Sequence, residues 1–296
     1  MSHNVCLLGG GTRLAAHLGV LRAMQEQGVR VSAWGGASAG SLIAAVMASG
    51  RTRRQAVELM FETDYRQFFE VRPAALWRGY GLCSGRRFEK WLDKALGGCR
   101  FNDLDVPLSV IATDVDSGNP YIFSPWTTPE VRLSTAVRCS ISIPGVFSLR
   151  KFRGTRLIDG SLTAVQPSLM FPDPESRSIL VRLARPRTPT PTAVVRKRRG
   201  LASYVRRVAT LVLDATEDLY VSEHWTRVIA IHTENHSPIN FDLSRDDRRE
   251  LYHLGYTQAV RSLNDSRTGP TTIPRDGEPA VTVAAASSPG GEVWTT

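Results

Sequence analysis

The amino-acid sequence predicts an α/β fold, a parallel sheet with helices on its faces, from two observations. Residues 5–48 alternate strand and helix, and each strand runs into a glycine-rich joint before its helix begins. Over 296 residues, 42% are hydrophobic, which supplies a full-sized core and excludes disorder throughout.

Residues 5–8 are a short apolar run and read as the first strand. A helix opens at Arg13, carries Leu14, Leu18, Leu21 and Met24 at helical spacing, and stops at Gly28. The second strand covers about 31–34 and feeds Gly36-Ala37-Ser38-Ala39-Gly40; a small apolar helix over 41–48 follows and ends at Gly50. Thr52 with Gln55 makes a capping box for a third helix. Phe88, Trp91, Leu92, Ala95 and Leu96 form the apolar stripe of a packing helix that ends at Gly97. Residues 108–113 and 121–124 flank Asp116-Ser117-Gly118-Asn119, a strand pair with a turn between, and 156–158 is a short strand entering Asp159-Gly160.

Two more sheet strands are expected at 179–183 and 228–231. Between them, 184–200 holds Pro186, Pro189, Pro191 and a basic run, which predicts a long exposed loop. The segment 201–221 reads as a helix with Val205, Val208, Val212, Ala215 and Leu219 on one face, and a last helix runs from a Ser244 cap to about Leu263. From Asn264 onward proline, glycine, serine and alanine dominate, so one domain over 1–263 and a disordered tail over 264–296 are expected.

The net charge is +9, gathered in clusters at Arg51, Arg53 and Arg54, at Arg150, Lys151, Arg153 and Arg156, and at 196–199. Such a surface attracts anionic membranes and nucleic acid alike. No aromatic-interleaved basic stripe or zinc spacing accompanies it, so a nucleic-acid partner is not expected. Cys6, Cys83, Cys99 and Cys139 lack C-x-x-C spacing and read as reduced thiols. The N-terminus has no basic n-region or apolar h-region, and no apolar stretch is long enough to span a bilayer. A cytoplasmic protein, peripheral at the membrane, is the expectation; export without a cleaved signal would leave the same pattern.

Gly36-Ala37-Ser38-Ala39-Gly40 sets a serine on a sharp strand-to-helix turn, where minimal neighbours let the backbone fold over. Composition alone yields G-x-S-x-G in roughly one chain in ten of this length, so its context carries the weight. Here a strand precedes it and a helix follows. Ser38 is the candidate nucleophile, at a helix start whose unpaired N–H groups and dipole favour negative charge, and Gly36 and Gly40 shape its elbow. Gly9-Gly10-Gly11-Thr12-Arg13 opens the first helix and can aim several amides at one place, a candidate oxyanion hole. The competing dinucleotide-loop reading is opposed by Leu14 at the third glycine position and by the lack of an acidic residue closing the second strand. Arg13 opposes the helix dipole, so a partner such as a carboxylate or a lipid phosphate is expected for it, although a solvated Arg13 is the alternative. Asp159-Gly160-Ser161, taken alone, is a common turn signal.

In order along the chain, Gly9-Gly10-Gly11-Thr12-Arg13 with Gly19-Val20-Leu21, then Gly36 to Gly40, then Arg138-Cys139-Ser140-Ile141-Ser142-Ile143-Pro144-Gly145-Val146-Phe147, then Asp159-Gly160, resemble the patatin-like phospholipases. The similarity spans about 5–167, with a looser match to about 263. It implies a three-layer α/β/α sandwich around a central, mostly parallel sheet, and makes 1–263 the catalytic domain. It also implies Ser38 as nucleophile, Asp159 as its base, and Gly9, Gly10 and Gly11 with Arg13 as the oxyanion loop. Implied substrates are phospholipids and other acyl esters, cleaved without a metal or organic cofactor. Two positions depart from the family pattern: Leu14 stands where glycine is usual, and Ser161 where glycine or alanine usually follows Asp159-Gly160.

Two other readings stay open on the sequence. An α/β-hydrolase with a Ser-His-Asp triad shares the elbow, with His232, His236 or His253 late enough to serve, but it normally places several strands before its serine. A non-catalytic module for anionic membranes would rest on the basic clusters alone.

Overall fold

The computed structural model describes residues 2–71, 80–163, 166–173, 177–184, 225–233 and 236–265. Strand β1 (Ser2–Leu8) leads into helix α1 (Leu14–Glu26), then β2 (Arg30–Ala37), α2 (Ala39–Ala48) and α3 (Arg53–Glu62). After β3 (Gly81–Cys83) and α4 (Arg86–Ala95) come the hairpin strands β4 (Leu108–Asp114) and β5 (Pro120–Phe123), then α5 (Leu133–Ser140). The short strands β6 (Gly145–Phe147), β7 (Arg150–Phe152) and β8 (Thr155–Ile158) follow, with α6 (Pro167–Met170), β9 (Ser178–Ala184), β10 (Arg227–His232) and α7 (Arg245–Asp265).

The main sheet has the order β10-β9-β1-β2-β4-β8-β7, with β5 also paired to β4. The strands β10, β9, β1, β2 and β4 run parallel, while β5, β7 and β8 make the antiparallel edge. Residues 5–8 of central β1 are apolar without interruption because both faces of the strand are covered there. Val5 and Leu7 join the core made with α1 and α2, and Cys6 and Leu8 face a second core with Met170, Phe171 and Trp225. The result is the predicted three-layer α/β/α arrangement. Helix α7 crosses α1 so closely that a Cβ at Gly19 would lie 2.0 Å from the Tyr252 carbonyl, and one at Gly255 2.0 Å from that of Ala16.

The predicted elements recur with shifted ends. Strand β2 continues to Ala37 and α2 begins at Ala39, so Ser38 alone separates strand from helix. The Thr52–Gln55 capping box opens α3 as predicted. Two boundaries need correction. Helix α7 runs through Asn264 and Asp265, two positions into the expected tail, where Asn264 Oδ1 accepts from Gln27 Nε2 at 3.3 Å. Ala184 does not open a loop but closes β9, paired with His232 of β10. The rest of the expected loop, the helix over 201–221 and the tail from 266 lie outside the described residues. The free thiols are as expected, with Cys6, Cys83 and Cys139 buried and Cys99 half-buried. No helix among the described residues is long and apolar enough to cross a membrane.

Register decides where the chemistry gathers. Leu8 pairs with Ala37, so the joints after β1 and β2 leave the carboxyl edge of the sheet side by side. Across β2, Ala37 pairs with Ile111 of β4, and beyond it Thr113 pairs with Ile158 of β8. Because β8 runs antiparallel to β4, Asp159 returns to the level that Ser38 reaches from the other side.

Candidate active site

Ser38 sits at φ 52°, a left-handed conformation that a side-chain-bearing residue seldom adopts. The elbow tolerates no bulk beside it. A Cβ at Gly36 would lie 2.5 Å from Ser41 Cα, and one at Gly40 2.1 Å from the Leu7 carbonyl oxygen, so both positions require glycine sterically. The turn is tied at three points. The Ser38 amide donates to Ser140 Oγ (2.9 Å), the Ser41 hydroxyl donates to the Ser38 carbonyl (2.6 Å), and Ser38 Oγ donates to Asp159 Oδ2 (2.7 Å).

Asp159 is fully buried. Its amide donates to the Ser142 carbonyl at 3.1 Å, and its own carbonyl accepts from Thr113 Oγ1 at 2.7 Å. Oδ1 accepts twice from Ser161, from the amide at 2.9 Å and the hydroxyl at 2.6 Å, leaving Oδ2 to Ser38. A Cβ at Gly160 would stand 1.9 Å from the Ile111 carbonyl oxygen, which makes that glycine the condition for the turn to sit against β4. Burial pushes the Asp159 carboxyl up to about 6, because a charge without water is costly; the hydrogen bonds from Ser161 and Ser38 pull the other way.

Behind this pair lies Arg138, 1% exposed. Its guanidinium donates to Ser142 Oγ (2.6 Å) and to the carbonyls of Ser84 (2.8 Å) and Ser148 (2.7 Å). It therefore braces the segment whose Ser140 and Ser142 hold the amides of Ser38 and Asp159.

The glycine loop takes positive φ at Gly9, Gly10 and Gly11. The Gly9 amide donates to the Ala37 carbonyl at 3.2 Å, continuing the β1–β2 ladder. His17 Nε2 donates to the Gly9 carbonyl at 3.2 Å, and burial holds that imidazole neutral, with its pKa pushed down to about 4. The Gly10 carbonyl accepts from both the amide (2.9 Å) and Nε (3.0 Å) of Arg13, while Arg13 NH1 donates to Thr233 Oγ1 at 2.7 Å. In a trans peptide the N–H points opposite to the C=O, and no cis bond occurs here. With the Gly10 carbonyl drawn to Arg13, the Gly11 amide turns away from it.

Gly11 and Ser38 line one apolar pocket, about 580 Å³ with its mouth included, walled by Leu14, Leu42, Phe68, Phe88, Trp91 and Phe147 among others. Asp159 stands behind Ser38 rather than in this wall. The arrangement is a hydroxyl bonded to a buried carboxylate, at a helix start, facing a space fit for an aliphatic chain.

The profile of the patatin-like phospholipase family matches residues 5–169. The chain belongs to the patatin-like phospholipases. It is accordingly a lipid acyl hydrolase. It is similar to the uncharacterised protein R571 of Acanthamoeba polyphaga mimivirus, 24% identical over 277 residues, covering 88% of this chain and 93% of that one. Lysophospholipase NTE1 of Mycosarcoma maydis is 30% identical over 172 residues, covering 54% of this chain but only 8% of that much longer protein. Among solved structures, VipD of Legionella pneumophila superposes with a TM-score of 0.61 at 16% identity, covering 89% of this chain and 67% of that one. At that identity the likeness speaks for the fold.

Within this patatin-like site, the residues singled out from sequence fall into two groups. Ser38, Asp159 and Gly11 meet at or directly behind the pocket wall, with Gly36, Gly40 and Gly160 making their backbone approaches. Gly9, Gly10 and Arg13 lie outside the pocket wall, and Gly9 and Arg13 depart from the expectation of direct donors. The Gly9 amide is spent on Ala37, and Arg13, fully buried, offers no surface to a lipid phosphate; it acts on the loop by holding the Gly10 carbonyl. Leu14, in the third glycine position of the G-x-G-x-x-G spacing, adds a pocket wall. No imidazole among the described residues bonds Ser38. His232 and His253 are exposed, and His236 Nδ1 donates to the Thr233 carbonyl while Nε2 lies 3.6 Å from Glu250. Sequence reasoning missed His17, Arg138 and the aromatic lining. Their spacing looks like ordinary helix and loop, and Arg138, though part of the motif that carries the resemblance, stands among small and hydroxyl residues that give no local sign of a buried brace.

Proposed function

We propose that this patatin-like enzyme cleaves acyl esters of phospholipids or related lipids by two successive acyl transfers, with Ser38 as nucleophile and Asp159 as base. The observation that supports this most is the 2.7 Å bond from Ser38 Oγ to Asp159 Oδ2, at the wall of an apolar pocket. Oγ attacks the ester carbonyl carbon as its proton passes to Oδ2. The negative charge that develops on the carbonyl oxygen is held by the Gly11 amide and the open amides at the start of α2. The C–O bond to the alcohol then breaks, Asp159 returns the proton to the leaving alkoxide, and the acyl group stays on Ser38. Water repeats the sequence: it gives a proton to Asp159, attacks the acyl carbon and releases the fatty acid, while the proton goes back to Ser38.

The acyl chain occupies the pocket, where each buried methylene contributes about 0.8 kcal/mol. The name of the Mycosarcoma maydis relative, a lysophospholipase, supports lipid esters as the substrate class. Recruitment to anionic bilayers accords with the +9 charge and with the exposed Tyr80 and Trp126. Salt should then weaken sedimentation with anionic vesicles, and equal binding to neutral and anionic vesicles at every salt concentration would count against this part of the reading.

A fluorophosphonate probe tests the nucleophile. Wild-type protein that hydrolyses a chromogenic ester should be labelled on Ser38. Labelling elsewhere, together with full activity of Ser38→Ala, would overturn the assignment.

A further inference from the structure

Asp159 has two oxygens and one productive partner, so something must decide which oxygen faces Ser38. The turn after β8 provides it. Ser161 is 6% exposed and directs both its amide, at 2.9 Å, and its hydroxyl, at 2.6 Å, onto Oδ1. Rotating the carboxylate would break both bonds. With glycine or alanine at this position the amide bond alone would remain, so the hydroxyl is the part of this grip that the side chain supplies.

We propose that Ser161 is a positioning residue that presents Oδ2 of Asp159 to Ser38 and extends the enzyme's working range towards acid pH. A hydroxyl donated to a carboxylate favours the charged form over the neutral one. The groups facing Asp159 are few. Ser38 comes from the elbow, Ser161 from its own turn, the Thr113 hydroxyl of β4 reaches its carbonyl, and the Ser142 carbonyl takes its amide. The cation this network reaches is Arg138, on the Ser142 hydroxyl. Burial pushes the carboxyl up to about 6; the Ser161 hydroxyl is the foremost group opposing it, and no charged side chain among the described residues contributes. Without that hydroxyl the carboxyl would hold its proton to higher pH and the base would be lost earlier on acidification.

The inference rests on the Ser38–Asp159 reading, and the experiment separates the two. The kcat/KM of wild type, Ser161→Ala and Ser161→Gly is measured against pH with a soluble chromogenic ester, and a fluorophosphonate probe counts functional sites in each. Circular dichroism checks the folding of both variants. The acid limb should move up by about one pH unit, so that going from about pH 8 to about pH 5 costs the variants about tenfold more rate than it costs wild type, while the loss that remains above about pH 8 reports the weaker presentation of Oδ2. A folded, fully labelled variant whose acid limb coincides with wild type, or whose rate falls by the same factor at every pH, overturns the role of Ser161. Asp159→Asn in the same series separates the readings: retention of wild-type rate and acid limb would instead sink Asp159 as the base. Inactive Asp159→Asn with an unmoved limb in Ser161→Ala removes the Ser161 inference alone.

Discussion

The Ser140 hydroxyl accepts the Ser38 amide at 2.9 Å and donates to the Ile111 carbonyl at 2.5 Å, so one buried side chain ties the strained elbow to the neighbouring strand. Ser140→Ala would leave a buried donor and a buried acceptor unpaired. The expected cost is about 1–3 kcal/mol of stability, read by denaturant unfolding. Because the elbow loses its anchor, kcat should fall about tenfold or more with KM little changed. An unaltered kcat in a destabilised protein would show that the strand, and not the nucleophile, needs this bond.

Asp159→Asn should trade activity for stability. It keeps the shape and removes the proton acceptor, so acylation should drop by several orders of magnitude. The native carboxyl titrates near 6 against an ordinary 3.8, so between those values the folded state binds more protons than the unfolded chain. Wild type therefore loses stability as pH rises from about 4 to 6 and stays lower above, while the amide does not. A gap on the order of 2 kcal/mol in favour of Asp159→Asn should open across that window and close again below it. Thermal unfolding of both proteins at several pH values checks the sign.

Arg13 holds the Gly10 carbonyl with its backbone amide and Nε and reaches Thr233 with NH1. Lysine keeps the charge but has a single nitrogen, so Arg13→Lys cannot serve both side-chain partners. The Gly10 carbonyl is then held by the backbone amide alone, and the transition-state stabilisation proposed for the Gly11 amide weakens; kcat should fall about tenfold or more with KM nearly constant. A variant with normal kcat would remove Arg13 from the oxyanion machinery.

Leu42 lies one helical turn past Ser38 and lines the pocket. Leu42→Trp should narrow the space proposed for the acyl chain. Activity on long-chain esters should fall by at least about tenfold, while short-chain esters remain substrates. Equal losses on both would place the acyl chain elsewhere.

The strand and helix pattern of residues 5–48 was readable because each element obeys its own period, and the glycine joints between them mark turns that few other residues can make. The same local signals pointed to Ser38, Gly36 and Gly40, whose backbone approaches are set within a few residues. Asp159-Gly160 was a different case. Its pattern is a common turn, and only its order after the other motifs, through the family resemblance, singled it out.

The sequence by itself thus determined the α/β class, the elbow and the candidate pair. Tertiary structure alone decided which atoms face one another. Ser38 and Asp159 meet across β4 because the registers Ala37 to Ile111 and Thr113 to Ile158 set them at one level, and register depends on how whole strands pack. The division of labour in the glycine loop was equally hidden. A peptide's orientation follows from what holds its carbonyl, and the holders, Arg13 and His17, look on paper like two polar residues at the start of an apolar helix.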